Sequence, residues 1–446
     1  MPLVYDRIED MRGNLITVKA SGVSLGELAM IEMRDGRSVF ASTIRIKEDL
    51  VTLQVFESSR GISTGDRVRF LHREMQATFG ESLLGRRLSG AGDPVDGGPA
   101  ISGEPINIGT PSVNPTRRII PREMMCTNIP MIDMFNTLVR SQKIPIFSVA
   151  GEPYNPLLMR IANQTDADVI VLGGMGLTFN DYQAFIDNAE RAGSMEKTVM
   201  YVHRATDPAV ECLLVPDMAL ASAEKFAVMG KHVLVLLTDM TAFADAIKEI
   251  AITMDQVPSN RGYPGSLYSD LASRYEKAVL IEGSGSITIV GVTTMPGDDV
   301  THPIPDNTGY ITEGQILLSR DIHRKGIYPP VDVLPSLSRL KDKGIGKDKT
   351  REDHSDVLNQ LFACYARGKE AKELAVILGD AALTDMDKLY VKFSDAYENE
   401  FVRQSEYEDR TITQTLDLGW KLMSILPDTE LKRIREEYLE KYYKKS

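Results

Sequence analysis

The stretch IPIFSVAGEPYNPLLMRIANQ, Ile144–Gln164, sets an apolar strand, a short loop and a helix in succession. That succession lets backbone N–H groups and a helix dipole cradle a phosphate. Asn155-Pro156 reads as the helix start, with Asn as cap and Pro in the first turn. The loop chemistry falls short of the task. A G-x-x-x-x-G-K-[ST] loop needs Lys to neutralise terminal phosphates and a hydroxyl for Mg²⁺. Here Gly151 is followed by Glu152, Pro153, Tyr154 and Asn155, so negative charge stands where phosphate would sit and one donor N–H is missing. No complete motif of this kind occurs elsewhere in the sequence. On these residues alone the stretch is an ordinary strand-to-helix turn.

Two further strand ends carry weaker signals. The run Asp168–Leu172 leads into Gly173-Gly174-Met175-Gly176, which reads as a tight turn able to approach a ligand. The run His232–Leu237 ends in Thr238-Asp239, where a Walker-B carboxylate would hold Mg²⁺.

The elements that must position these residues fall into three textures. Residues 1–75 hold short β-rich runs (Leu15–Val18, Leu28–Met33, Val39–Ile46, Val51–Phe56 and Val68–Leu71) separated by turn signals such as Asp35-Gly36. Five or six strands so closely spaced predict a small β-barrel. Residues 76–350 alternate buried strands with helices, which predicts an α/β domain on a mainly parallel sheet. Within it, the Gly- and Pro-rich stretch Gly85–Pro99 reads as a loop or hairpin. Residues 351–446 carry helical periodicity in Asp353–Ala366, Lys369–Leu378, Asp385–Gln404 and Ile412–Leu426, which predicts a C-terminal α-helical bundle.

Composition narrows the function. With 51 Lys and Arg against 63 Asp and Glu, the chain carries a formal charge of −12, unlike a nucleic-acid backbone binder. Three scattered cysteines and six scattered histidines give no zinc spacing and fit a reducing compartment. No apolar run approaches the ~20 residues of a membrane span, and the charged N-terminus lacks a signal-peptide pattern. The expectation is a soluble cytoplasmic chain that does not insert into the membrane.

Several stretches together resemble the nucleotide-binding subunits of rotary ATPases, and most closely the B-type subunits (β chains) of V-type and archaeal-type ATP synthases. They are TFGESLLGRRLSGAGDPVDGG (Thr78–Gly98), TNIPMIDMFNTLVRSQKIPIFS (Thr127–Ser148), VLLTDMTAFADAIKEI (Val235–Ile250), NRGYPGSLYSDLASRYEKA (Asn260–Ala278) and PPVDVLPSLSRL (Pro329–Leu340). The last is similar to the family signature P-x-[LIV]-D-x-x-x-S-x-S followed by Arg. The resemblance implies a β-barrel, a RecA-like α/β domain of the P-loop NTPase fold and a helical bundle. It also implies an alternating A3B3 ring with catalytic A subunits, central rotor stalk subunits and a peripheral stalk, with no nucleic acid. The complex would lie on the cytoplasmic side of the membrane, in a bacterial or archaeal cell, and couple ATP chemistry to H⁺ or Na⁺ transport.

Catalytic members of the family carry a complete phosphate loop and a Glu in a G-x-G-E-R turn. Here those places hold Ala150–Asn155 and Gly174-Met175-Gly176-Leu177, so the resemblance implies a non-catalytic, regulatory subunit. It makes Arg339 an arginine finger reaching the adjacent A subunit. ATP or ADP with Mg²⁺ would lie at the shared A–B interface, bound mainly by the A subunit. Gly151, Asn155, Tyr328 and Ser338 become nucleotide-interface candidates, and Asp298, Asp299 and Thr301 would face the rotor. No metal site of the chain's own is expected. Two other readings stand beside this one: a stand-alone RecA-like ATPase, which needs the missing phosphate Lys, and a structural ring scaffold with no role in nucleotide chemistry.

Overall fold

The computed structural model describes residues 4–5, 7–56, 59–109 and 113–443. Seven antiparallel strands come first: β1 (Val4–Tyr5), β2 (Ile8–Arg12), β3 (Leu15–Lys19), β4 (Leu28–Glu32), β5 (Ser38–Lys47), β6 (Leu50–Val55) and β7 (Arg67–Phe70). Their order in the sheet is β1-β7-β4-β5-β6-β3-β2. β1 and β2 stand at opposite ends of that order, yet two residues separate them in the chain. The sheet therefore curls until its edges meet, which makes a barrel and protects both edges. Alternate side chains, among them Ile16, Val18, Ile31, Leu53, Val68 and Phe70, fill its interior. β1 and β2 exceed the sequence expectation, because IEDMR is a charged rim strand with little apolar alternation.

The second unit is a nine-stranded sheet. Its path is β18-β17-β11-β16-β14-β12-β13-β9, with the short β15 (Val279–Leu280) beside β16. The strands are β9 (Arg87–Ser89), β11 (Lys143–Ser148), β12 (Val169–Leu177), β13 (Thr198–Arg204), β14 (His232–Thr238), β16 (Ser286–Thr294), β17 (Gly314–Leu318) and β18 (Val331–Ser338). Along that path all neighbours are parallel except the antiparallel pair β17–β18. β8 (Gln76–Phe79) and β10 (Glu104–Asn107) pair separately. The stretch Gly85–Pro99 thus contributes an edge strand to the main sheet as well as a loop. The fork of Arg86 on Asp96, at 2.7 and 3.0 Å, closes that loop.

Period-two alternation divides the sheet's side chains between two cores. Ile170, Leu172, Leu234 and Leu236 face one core, with the helix Tyr154–Gln164. Val169, Val171, Val233 and Val235 face the other, with the helix Ala209–Val228. Each such fully buried aliphatic side chain contributes about 1.5–3 kcal/mol.

The C-terminal unit is helical. Where the sequence suggests two helices around residue 367, one helix runs unbroken through His354–Leu378. Gly368 is a packing device rather than a breaker. A Cβ there would lie 2.6 Å from the Tyr390 carbonyl oxygen and from Ser394 Cβ, so its absence lets the following helix, Asp385–Ala396, approach.

Candidate functional site

Three adjacent parallel strands, β17, β11 and β16, finish side by side. The loops that follow them bring Arg320, Glu152 and Asp298 together. Glu152 Oε2 lies 2.7 Å from His323 Nδ1, and its Oε1 lies 3.5 Å from Arg320 Nε. Arg320 also reaches Asp298 at 3.1 Å. Ser319 caps the short helix Arg320–Arg324, which carries both side chains to the loop.

The loop backbone is turned on itself. The Glu152 N–H donates to the Val149 carbonyl at 3.2 Å and the Tyr154 N–H to the Glu152 carbonyl at 2.9 Å. Gly151 takes φ +89°, a conformation that favours glycine. The helix begins at Tyr154, one residue before Asn155, and no side chain caps it. Asn155 is not the cap because its amide is already engaged. It accepts from the Thr238 hydroxyl at 2.9 Å and donates to Asp181 at 3.2 Å, tying the loop to the end of β14.

The Walker-B-like carboxylate is likewise engaged. Asp239 accepts from the Thr294 hydroxyl at 2.5 Å and from the Thr241 N–H at 2.9 Å, while burial pushes its carboxyl up. These residues do not fit a Mg²⁺–nucleotide phosphate group. The glycines after Leu172 also depart from the sequence expectation, because β12 continues through them to Leu177. Gly173 is needed for packing, as a Cβ there would lie 2.8 Å from Leu237 Cδ2.

Arg339 lies at the other edge of the sheet. β18 runs against β17, pairing Ser338 with Gly314, where β17 begins. Arg339 is exposed and donates to the Thr312 carbonyl at 3.1 Å. It pairs with no carboxylate among the described residues. Ser338 is buried, its hydroxyl shared between the Gln142 amide at 2.9 Å and the Thr137 carbonyl at 3.1 Å.

Tyr328 is half-buried, its ring centroid 5.9 Å from the Arg160 guanidinium carbon. Burial raises its hydroxyl to about 12. That hydroxyl, Arg160 Nη1 and both amide atoms of Gln404 are buried with no hydrogen-bond partner among the described residues. Gln404 adjoins Tyr328 through its N–H on the Tyr328 carbonyl at 2.8 Å. An aromatic face beside such donors and acceptors is the chemistry that recognises a planar heteroaromatic ring.

The turn carrying Asp298, Asp299 and Thr301 is internally paired. Asp299 accepts from the Thr301 hydroxyl at 2.6 Å and from Arg261 at 2.7 Å, so its carboxylate is not an open acceptor. Among the described residues no cluster of His, Cys, Asp and Glu could hold a metal ion, and no helix is long and apolar enough to cross a membrane.

The V-type ATP synthase beta chain of Protochlamydia amoebophila (strain UWE25) is 63% identical over 443 residues, covering 99% of this chain and 98% of that protein. The chain belongs to the V-type ATP synthase beta chains. The beta chain of Chlamydia felis (strain Fe/C-56) is 56% identical, covering 100% and 99%. Among solved structures, the ATP synthase subunit NeqB of Nanoarcheaum equitans is similar with a TM-score of 0.75 and 34% identity, covering 93% of this chain and 100% of that one. Three family descriptions match this V-type beta chain in succession. The beta-barrel domain of the ATP synthase alpha/beta family matches residues 9–72, its nucleotide-binding domain 128–338, and the C-terminal domain of V and A type ATP synthase 343–443.

The fold brings together residues whose proximity the sequence alone did not disclose. Arg320 and His323 meet Glu152 because β17 and β11 are neighbours in the sheet, an adjacency no local motif encodes. Arg160 reads as an ordinary polar position on an amphipathic helix, and Gln404 lies in a stretch that reads as continuous helix. In the fold both are buried.

Proposed function

We propose that this chain is the non-catalytic B-type subunit of a V-type rotary ATPase or ATP synthase, completing the catalytic site of a neighbouring A subunit in trans. The observation that carries the reading is the location of Arg339: exposed, without a carboxylate partner among the described residues, and at the sheet edge opposite the chain's own phosphate loop. Arg is always charged and presents a planar fork of donors. Phosphoryl transfer spreads negative charge over the γ-phosphate oxygens, and an Arg supplied by a neighbour stabilises it. The chain's own loop and its Asp239 are engaged internally, which supports assigning Mg²⁺ and nucleotide mainly to the A subunit.

In this reading A and B subunits alternate in an A3B3 ring around a central stalk, held by a peripheral stalk, on the cytoplasmic side of the membrane. Rotation couples ATP synthesis or hydrolysis to H⁺ or Na⁺ transport. The half-buried Tyr328 ring, backed by the buried Arg160 and Gln404, is the base-recognising candidate, and Asp298, Asp299 and Thr301 form a turn toward the rotor. The test is steady-state ATP hydrolysis by a reconstituted A–B ring carrying Arg339→Ala. Loss of turnover in an assembled ring supports the reading, and retained turnover leaves a structural scaffold.

A further inference from the structure

Glu152 presents a buried carboxylate to the Arg320 guanidinium and the His323 ring at the point where a phosphate loop would present none. Its side chain is 5% exposed, whereas those of Arg320 and His323 are 39% and 42% exposed. These two side chains therefore face outward while the carboxylate beside them lies inside. Two of the loop's donors, the N–H groups of Glu152 and Tyr154, are spent on nearby carbonyls, and Pro153 has none. A Cβ built on Gly151 would meet nothing within 4 Å, so the outer side of the loop is open.

We propose that the Glu152 carboxylate is a built-in substitute for a phosphate group, and that its charge keeps inorganic phosphates and nucleotide phosphates out of this loop. The proposal rests on the reading that this chain's own site does no chemistry, and it supplies the physical reason. The missing Lys explains weak attraction, whereas an occupied cradle explains exclusion. A phosphate approaching Arg320 and His323 must displace a carboxylate covalently tethered beside them, so it competes against a very high local concentration. It must also approach a carboxylate of its own sign. Asp298, paired with the far side of Arg320, holds that cation in place and adds to the repulsion. Removal of the Glu152 charge leaves the Arg320 guanidinium and the His323 ring facing the loop with no carboxylate of the loop between them, a donor pair for an anion.

The test is calorimetric titration of the isolated full-length chain with inorganic pyrophosphate, free of Mg²⁺ and at low ionic strength. Wild type shows no saturable binding in the range where Glu152→Ala binds. The variant binds roughly tenfold or more tightly, the scale of one or two charge-assisted hydrogen bonds. Glu152→Gln, which keeps the side-chain shape and loses the charge, binds in the same direction and serves if the Ala variant melts early. Adding Arg320→Gln to either variant abolishes the gain. Variants that melt like wild type and bind pyrophosphate no better overturn the proposal, as does a gain that survives loss of Arg320. Neither Arg339 nor a neighbouring subunit enters this measurement, so its failure leaves the trans reading standing, and failure of that reading leaves this result intact.

Discussion

Arg339 and Gly151 stand at opposite edges of one sheet. Ser338 pairs with Gly314 at the start of β17, whereas Gly151 follows the end of β11, which runs parallel to β17. At ~3.3 Å per residue, the length of β11 alone sets them roughly 20 Å apart. No arginine side chain spans that distance. A phosphate that Arg339 contacts therefore lies outside this chain's own Gly151 loop.

Replacing Arg339 with Ala lowers steady-state ATP hydrolysis by the reconstituted ring by roughly two orders of magnitude or more. Ring assembly, read by native mass, stays unchanged because the side chain is exposed and holds one carbonyl. Arg339→Lys keeps the charge but loses the fork, and recovers only part of the activity. Ala-variant turnover within a few-fold of wild type would remove the finger.

Gly173→Ala destabilises the chain by about 1–3 kcal/mol through overpacking. The new Cβ would meet Leu237 Cδ2 at 2.8 Å and Val215 Cγ1 at 3.2 Å, between β12, β14 and the helix Ala209–Val228. Gly265→Ala is the control, since nothing lies within 4 Å of a Cβ there. Urea midpoints that shift equally for both variants would sink this packing account.

Much of this architecture is legible in the sequence. The apolar runs Ile144–Val149 and Val233–Leu237 announce a buried parallel sheet, and Asp35-Gly36 announces a hairpin turn. What escapes is whatever depends on which strand lies beside which. Glu152 reads as a lost phosphate ligand, and its pairing with His323 follows only from the β17–β11 adjacency. Glycines mislead in the same way. Gly173 and Gly368 look like turn or break signals, yet each removes a Cβ that a neighbouring element would strike. The missing Lys near Gly151 is a statement about residue type, and type is what a sequence displays directly.

The fully buried His354 makes the chain sensitive to acid. Its Nε2 lies 3.1 Å from the Met134 carbonyl oxygen and its Nδ1 lies 3.0 Å from the Thr350 hydroxyl, an arrangement for neutral imidazole. Burial lowers its pKa from 6.5 to about 4. The unfolded chain takes up this proton first, so stability is full above about 6.5 and falls as pH drops toward 4. The loss approaches about 3 kcal/mol at 1.36 kcal/mol per unit. His354→Gln, a neutral amide that can donate and accept, flattens this part of the melting-temperature profile. An unchanged acid slope in that variant would assign the sensitivity elsewhere.

Asp299 anchors the turn assigned to the rotor. Its carboxylate accepts from the Thr301 N–H at 2.9 Å and hydroxyl at 2.6 Å and from Arg261 at 2.7 Å, and these partners hold its carboxyl down to about 2. It stays ionised throughout the working pH range. A basic rotor surface must then share this carboxylate with Arg261 rather than find it open. Asp299→Asn weakens both the internal anchor and any external contact while leaving the distant Arg339 untouched. In the complete complex, ATP-driven ion transport falls by a factor of about two to five, the scale of one exposed charged contact. Hydrolysis by the rotor-free ring stays level, because no nucleotide group is involved. Equal transport by wild type and variant would place this turn away from the rotor, and a matching loss in the rotor-free ring would make it a structural brace of the α/β domain.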